Sequence, residues 1–158
     1  MLARKQIAAV AIAAAAHLTG WPAFGGVPTC DDLIAALNAS DNFSKWRGQK
    51  IGENEWETSH KIFTFNKCVI SKNNFRCSLP AGSSLERARS SYSSARDLVE
   101  NCLSKSESGW VFDRRADPLP SMDFVNRDGR NGVVGLINLG FPKPAEEYWL
   151  QLTVLEHF

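Results

Sequence analysis

Apolar positions along this chain follow three rhythms, and each predicts a different kind of element. A continuous run, Ile7 to Ala16 with Leu18 beyond it, fills the amino-terminal stretch. Two later segments follow the helical period of 3.6 residues. In the first, Cys30, Leu33, Ile34 and Leu37 fall at i, i+3, i+4 and i+7. Thr29-x-x-Asp32 opens it as a weak capping box, and Phe43 and Trp46 extend it as a last turn. In the second, Leu85, Ala88, Tyr92, Ala95, Val99, Cys102 and Leu103 keep one face over about five turns. Ser83-x-x-Glu86 reads as its capping box, and Arg87, Ser90, Ser91, Ser94 and Asp97 form its solvated side.

The third rhythm is strand-like. Glu57 to Ile70 is rich in β-prone side chains, although Ile62 and Phe63 are adjacent and break the alternation. Phe75 to Leu79 is its hairpin partner across Ser71-Lys72-Asn73-Asn74, and Pro80-Ala81-Gly82 ends it. Residues 47–56 are polar and punctuated by glycine, which predicts a loop. After the second helix come short strands at Trp110–Arg114, Met122–Arg127, Val133–Leu139 and Tyr148–Leu155. Asp128-Gly129-Arg130-Asn131-Gly132 supplies a turn, and Pro142-Lys143-Pro144 a stiff connection. In the last strand, Tyr148, Leu150, Leu152 and Val154 alternate with Trp149, Gln151, Thr153 and Leu155. The predicted order is helix, two strands, helix, four strands. Late strands joined by short connections pair antiparallel. The expectation is an α+β single domain: one curved antiparallel β-sheet with two helices packed on one face. No repeat, long linker or low-complexity tract stands out in the sequence.

The amino-terminal run has a separate meaning. Arg4 and Lys5 precede it, no acidic residue occurs before Asp31, and Gly20-Trp21-Pro22 breaks its helix. Ala23-Phe24-Gly25 follows with small residues in the spacing a processing enzyme prefers. This is the order of a cleavable secretory signal, with the cut expected after Gly25. A retained membrane anchor needs roughly 20 apolar residues, longer than this alanine-rich run. Lipid attachment at Cys30 fits poorly, because Pro28 and Thr29 precede it and the apolar run ends well before it. Residues 1–25 are therefore read as signal and 26–158 as the domain, periplasmic or secreted, with no stable membrane insertion after cleavage.

Cleavage also changes the charge. The whole chain carries 18 basic and 17 acidic residues; losing Arg4 and Lys5 leaves 16 against 17, a net charge of −1. A near-neutral domain lacks the basic footprint of a nucleic-acid binder. Four cysteines in an exported chain imply two disulfides. A hairpin with Lys72-Asn73 at its tip places Cys68 opposite Cys77, within bridging reach. A tip at Asn73-Asn74 would instead put Cys68 opposite Leu79. With the first register, elimination leaves Cys30 with Cys102. No C-x-x-C pair marks a zinc or redox site.

Candidate chemistry is sparse. The domain holds two histidines, His60 and His157, far apart in sequence. His60 follows Glu53, Glu55 and Glu57, so a mixed metal or catalytic site is conceivable there, against a plain acidic loop. The adjacent carboxylates Asp31 and Asp32 suit the start of a helix. Asn126-Arg127-Asp128-Gly129 departs from a calcium loop, since Arg130 stands where an oxygen ligand is needed. No nucleophile elbow, phosphate loop or cofactor motif is present, so no catalytic residue, metal ligand or cofactor is assigned. Two features keep an interest beside their plain readings. Trp46 and Trp56 flank the polar loop, and one of them could be an exposed anchor for a partner, against burial, the favoured reading for each. Arg114, Arg115, Arg127 and Arg130 would form an anion-binding edge if their strands are neighbours, against ordinary solubilising charge balanced by Asp113, Asp117 and Asp128, the favoured reading. The leading expectation is a non-enzymatic module that binds another extracytoplasmic protein, in the manner of an inhibitor or immunity factor. The alternatives are an enzyme built around His60 and a small-ligand carrier with a cavity between sheet and helix.

Overall fold

The hairpin register inferred from Cys68 and Cys77 organises much of the molecule. In a computed structural model of the chain, residues 29–116, 118–138 and 147–155 are described, with only the backbone given for 40–42. The expected signal at 1–25, the Pro142-Lys143-Pro144 connection and His157 lie outside these residues. The elements are α1 (Cys30–Asn38), a 3-10 helix (Ser40–Trp46), β1 (Lys50–Gly52), β2 (Glu55–Glu57), β3 (Lys67–Ser71), β4 (Asn74–Gly82), α2 (Leu85–Ser104), β5 (Val111–Arg115), β6 (Ser121–Val125), β7 (Asn131–Asn138) and β8 (Tyr148–Leu155). The eight strands form one open antiparallel sheet in the order β1-β2-β3-β4-β8-β7-β6-β5. The fold is therefore a single mixed α+β domain with two helices and two disulfides, as its residue pattern predicts.

The order of elements is helix, four strands, helix, four strands. Each half of the sheet is a four-stranded meander, and the equivalent strands β4 and β8 meet antiparallel at the centre. An approximate two-fold axis normal to the sheet thus relates the halves. β1 and β2 fall in the segment read as a loop. Each is three residues long, too short to register as alternation. The long strand expected from Glu57 to Ile70 is divided. Only β2 and β3 pair, and the chain between them turns back on itself, with the Phe65 N–H donating to the Ile62 carbonyl at 3.2 Å. Phe63 takes a φ of 53° in that turn, a left-handed conformation rare for a bulky side chain. Burial of Ile62 and Phe65 on either side holds it there.

Both helix starts differ in detail from the capping boxes expected. Thr29 occupies the cap of α1 but its side chain makes no capping hydrogen bond. In α2 the cap is Ser84, whose Oγ accepts from the Arg87 N–H at 3.4 Å. β4 runs on to Gly82, whose φ of +98° turns the chain, so Ser84 rather than Ser83 is the residue at the helix entry. Glu86 then sits too early to close a capping box, though its charge still suits the helix start.

Three cross-strand rows make the buried face of the sheet, the shortest being Leu79, Leu150 and Leu136. Of the longer two, one runs Cys68, Cys77, Leu152, Val134, Met122; the other Ile70, Phe75, Val154, Gly132, Phe124. α2 crosses β4, β8 and β7, burying Ala88, Tyr92, Ala95 and Val99. Alanine at two of these positions lets the helix approach closely around the larger Tyr92. Each large side chain buried here contributes about 1.5–3 kcal/mol. α1 packs on α2 through Leu33, Ala36 and Leu37, and the Cys30–Cys102 disulfide ties its start to the last turns of α2. The Cys68–Cys77 disulfide joins opposed residues of β3 and β4. Pro80 stands beyond Ser78, the last β4 residue paired with β3, where a missing N–H is tolerated.

Candidate functional site

Since strand side chains alternate, the face of the sheet away from the helices has its own three cross-strand rows. At one end lie Val111, Val125, Asn131, Leu155, Asn74, Ser71 and Glu55. The middle row is Asp113, Asp123, Val133, Thr153, Arg76, Val69 and Glu57. The third is Arg115, Ser121, Gly135, Gln151, Ser78 and Lys67, with Ile137 and Trp149 beyond it. Val111, Val125 and Leu155 are among the most exposed large apolar side chains of the described residues, at 63%, 43% and 38%. All three belong to one row.

Charge on this face is absent from β7 and β8 and lies on the strands to either side of them. Arg76 donates to Glu55 at 2.9 Å on one side. On the other, Asp113 and Asp123 are directly opposed, and Arg115 bridges them at 3.6 Å and 2.5 Å. Like charges facing across a sheet repel, so Arg115 has a definite structural task. Between the flanks lie Val133, Thr153, Gln151, Gly135, Ser78 and Ser121, small, apolar or uncharged. The Lys67 ammonium stands 5.8 Å from the Trp149 ring, at the limit of a cation–π contact. This surface mixes apolar, polar and charged side chains, and among the described residues no group of three or more His, Cys, Asp or Glu gathers on it.

The residues singled out from sequence are distributed around the molecule. Trp46 is half-buried, stacked on His60 at 4.0 Å and set edge-on to Phe75 at 5.5 Å. Trp56 is also half-buried and carries the Arg47 guanidinium 4.0 Å over its ring. Both tryptophans pack against the core on the helix side. Arg114 also points to that side, donating from Nε to Glu100 of α2 at 2.8 Å. Arg115 lies on the open face. Arg127 packs over Gly109, and Arg130 donates to Asn38 at the end of α1. The arginines therefore form two groups at opposite ends of β6, on different faces, and do not share one anion-binding edge. The β6–β7 turn itself is built by buried Asn126, whose Oδ1 accepts from the N–H groups of Asp128 and Arg130 at 3.1 Å and 2.9 Å.

His60 is exposed, and the ring contact it makes is the Trp46 stack. Among the described residues no group of three or more His, Cys, Asp or Glu side chains is placed to hold a metal ion. Burial raises the phenol of Tyr92 above its ordinary 10.0, with Arg96 and Arg114 opposing the shift. Tyr92 sits in the core beneath α2, where it packs rather than reacts. No helix among the described residues is long and apolar enough to cross a membrane. The signal that would have identified the open face was the alternation of β8, which sets Trp149, Gln151, Thr153 and Leu155 apart from the core residues. The chain matches no known protein family, no curated protein and no solved structure.

Proposed function

We propose that the protein is an exported, non-enzymatic domain that binds another extracytoplasmic protein, as an inhibitor or immunity-like module, through the open face of its sheet. The observation that carries this reading is that face. It presents two uncharged strands, β8 and β7, between charged side chains on β4 and β6, with exposed apolar side chains aligned along one row. A protein interface has a similar layout, with charge depleted at its core and a polar rim. Two disulfides support an oxidising compartment, periplasmic or secreted. The space between α2 and the sheet is occupied by core side chains, which argues against a ligand carrier. His60 is exposed and stacked on Trp46, and among the described residues no group of three or more His, Cys, Asp or Glu side chains gathers around it, which argues against a catalytic centre there.

The test uses the oxidised domain as bait against an envelope fraction. The expected result is one protein retained by the native domain and lost from the Val133→Arg and Thr153→Arg baits. A Lys105→Glu bait, altered at an exposed site off the face, should retain it. A blank with folded bait, or capture unaffected by the face variants, would overturn the reading.

A further inference from the structure

We propose that β5 is a self-complementary edge through which two copies of this chain pair, antiparallel, into one continuous sheet. β5 ends the sheet, and its main-chain groups on the outer side have no strand beside them among the described residues. The other edge, β1, is three residues long and irregularly paired, a poor template. β5 is five residues long and regularly registered with β6.

Charge complementarity identifies the occupant. Asp113 and Asp123 face each other, and Arg115 lies much nearer Asp123, 2.5 Å against 3.6 Å. The Asp113 carboxylate is the less neutralised of the two, and its side chain is 69% exposed. If a second β5 runs antiparallel beside the first with Arg114 opposite its own copy, Asp113 of each chain faces Arg115 of the other. Directly opposed side chains lie on the same face, so both new ion pairs form on the open face, where Arg115 already points. The two Arg114 side chains meet on the other face, each held back by Glu100 of its own α2. The arrangement is isologous, as a two-fold dimer requires. The neighbouring register that puts Asp113 opposite Asp113 loses this complementarity. Five residues of strand pairing make a small contact, so the dimer is concentration-dependent.

Sedimentation of the oxidised protein over a wide concentration range should show the average mass rising from one chain towards two. Asp113→Arg and Arg115→Asp should each abolish the rise. The double exchange should restore it, because the charges remain paired across the edge and the arginine introduced at position 113 would still face Asp123 within the chain. Thermal melts of all variants separate unfolding from lost association. Independently, Arg114→Cys should form a disulfide-linked dimer on non-reducing gels, faster than Asp113→Cys. A single-chain mass at every concentration, or faster cross-linking through position 113, would overturn the proposal.

Discussion

Val133 and Val134 are neighbours in β7 and lie on opposite faces of the sheet. Val133 sits on the open face between Asp123 and Thr153, and Val134 is fully buried between Met122 and Leu152. An arginine at 134 would be an uncompensated charge in the core and should cost more than about 3 kcal/mol. An arginine at 133 stays in solvent and should shift stability by less than about 1 kcal/mol. Urea denaturation of the two variants measures this. Comparable losses would mean the open face is covered.

The two disulfides close loops of different length, with sequence separations of 72 and 9. The chain-entropy argument assigns about 4 kcal/mol to Cys30–Cys102 and about 3 kcal/mol to Cys68–Cys77. Replacing each pair by alanine should destabilise in that order. Both pairs stand within or against the core, so lost packing adds to each figure. Denaturation midpoints of the two double variants check the ranking.

Gly132 occupies a row otherwise filled by large side chains. A Cβ there would meet the Phe124 ring and the Thr153 carbonyl oxygen, both at 2.5 Å. Gly132→Ala should therefore cost about 1–3 kcal/mol or more, because both the Phe124 ring and the β8 backbone at Thr153 must shift. At Gly52, where the nearest atom would be the Glu55 Cβ at 3.5 Å, the same change should be nearly neutral. Melting temperatures of the two variants compare a crowded position with an open one.

Tyr92 makes stability depend on alkaline pH. Burial raises its folded-state value above the ordinary 10.0. The folded chain then keeps a proton that the unfolded chain loses, so stability must fall as pH rises above about 10. The contribution is fully present below the unfolded value and is lost through the folded one. Tyr92→Phe should flatten this decline. Melting temperature against pH, read alongside phenolate absorbance, tests it; an unchanged slope would place the alkaline sensitivity elsewhere.

Much of this architecture was legible because local signals agreed with the tertiary structure. The Ser71–Asn74 turn, the apolar stripe of α2 and the alternation of β8 each act over a few residues, and packing reinforces them. The hidden parts lacked such agreement. β1 depends on pairing with β2, and β2 on pairing with β3, rather than on their own patterns. The Ile62-Phe63 pair resembles a strand in composition, but a tight turn forces Phe63 into a left-handed conformation so that Ile62 and Phe65 can both be buried. Trp46 and Trp56 have polar sequence neighbours, and the residues that pack on them, Phe75 and Arg47, come from a distant strand and an adjacent loop, so sequence does not show how far each ring is covered. The arginines could be grouped only by a strand length and a facing that sequence does not specify.

The central seam of the sheet also dictates the order of assembly. Each meander can form from contacts near in sequence, whereas β4 must find β8, with Phe75 paired to Val154. Non-local pairing of this kind slows folding. β8 is the last of the described strands along the chain, so β4 keeps its inner side bare until the second half of the sheet reaches it. Such an unpaired edge invites other chains. Closure of β8 on β4 is therefore the step that covers this edge. A chain stopped before Tyr148 would keep the first meander whole and lose from the second the strand that joins it to β4.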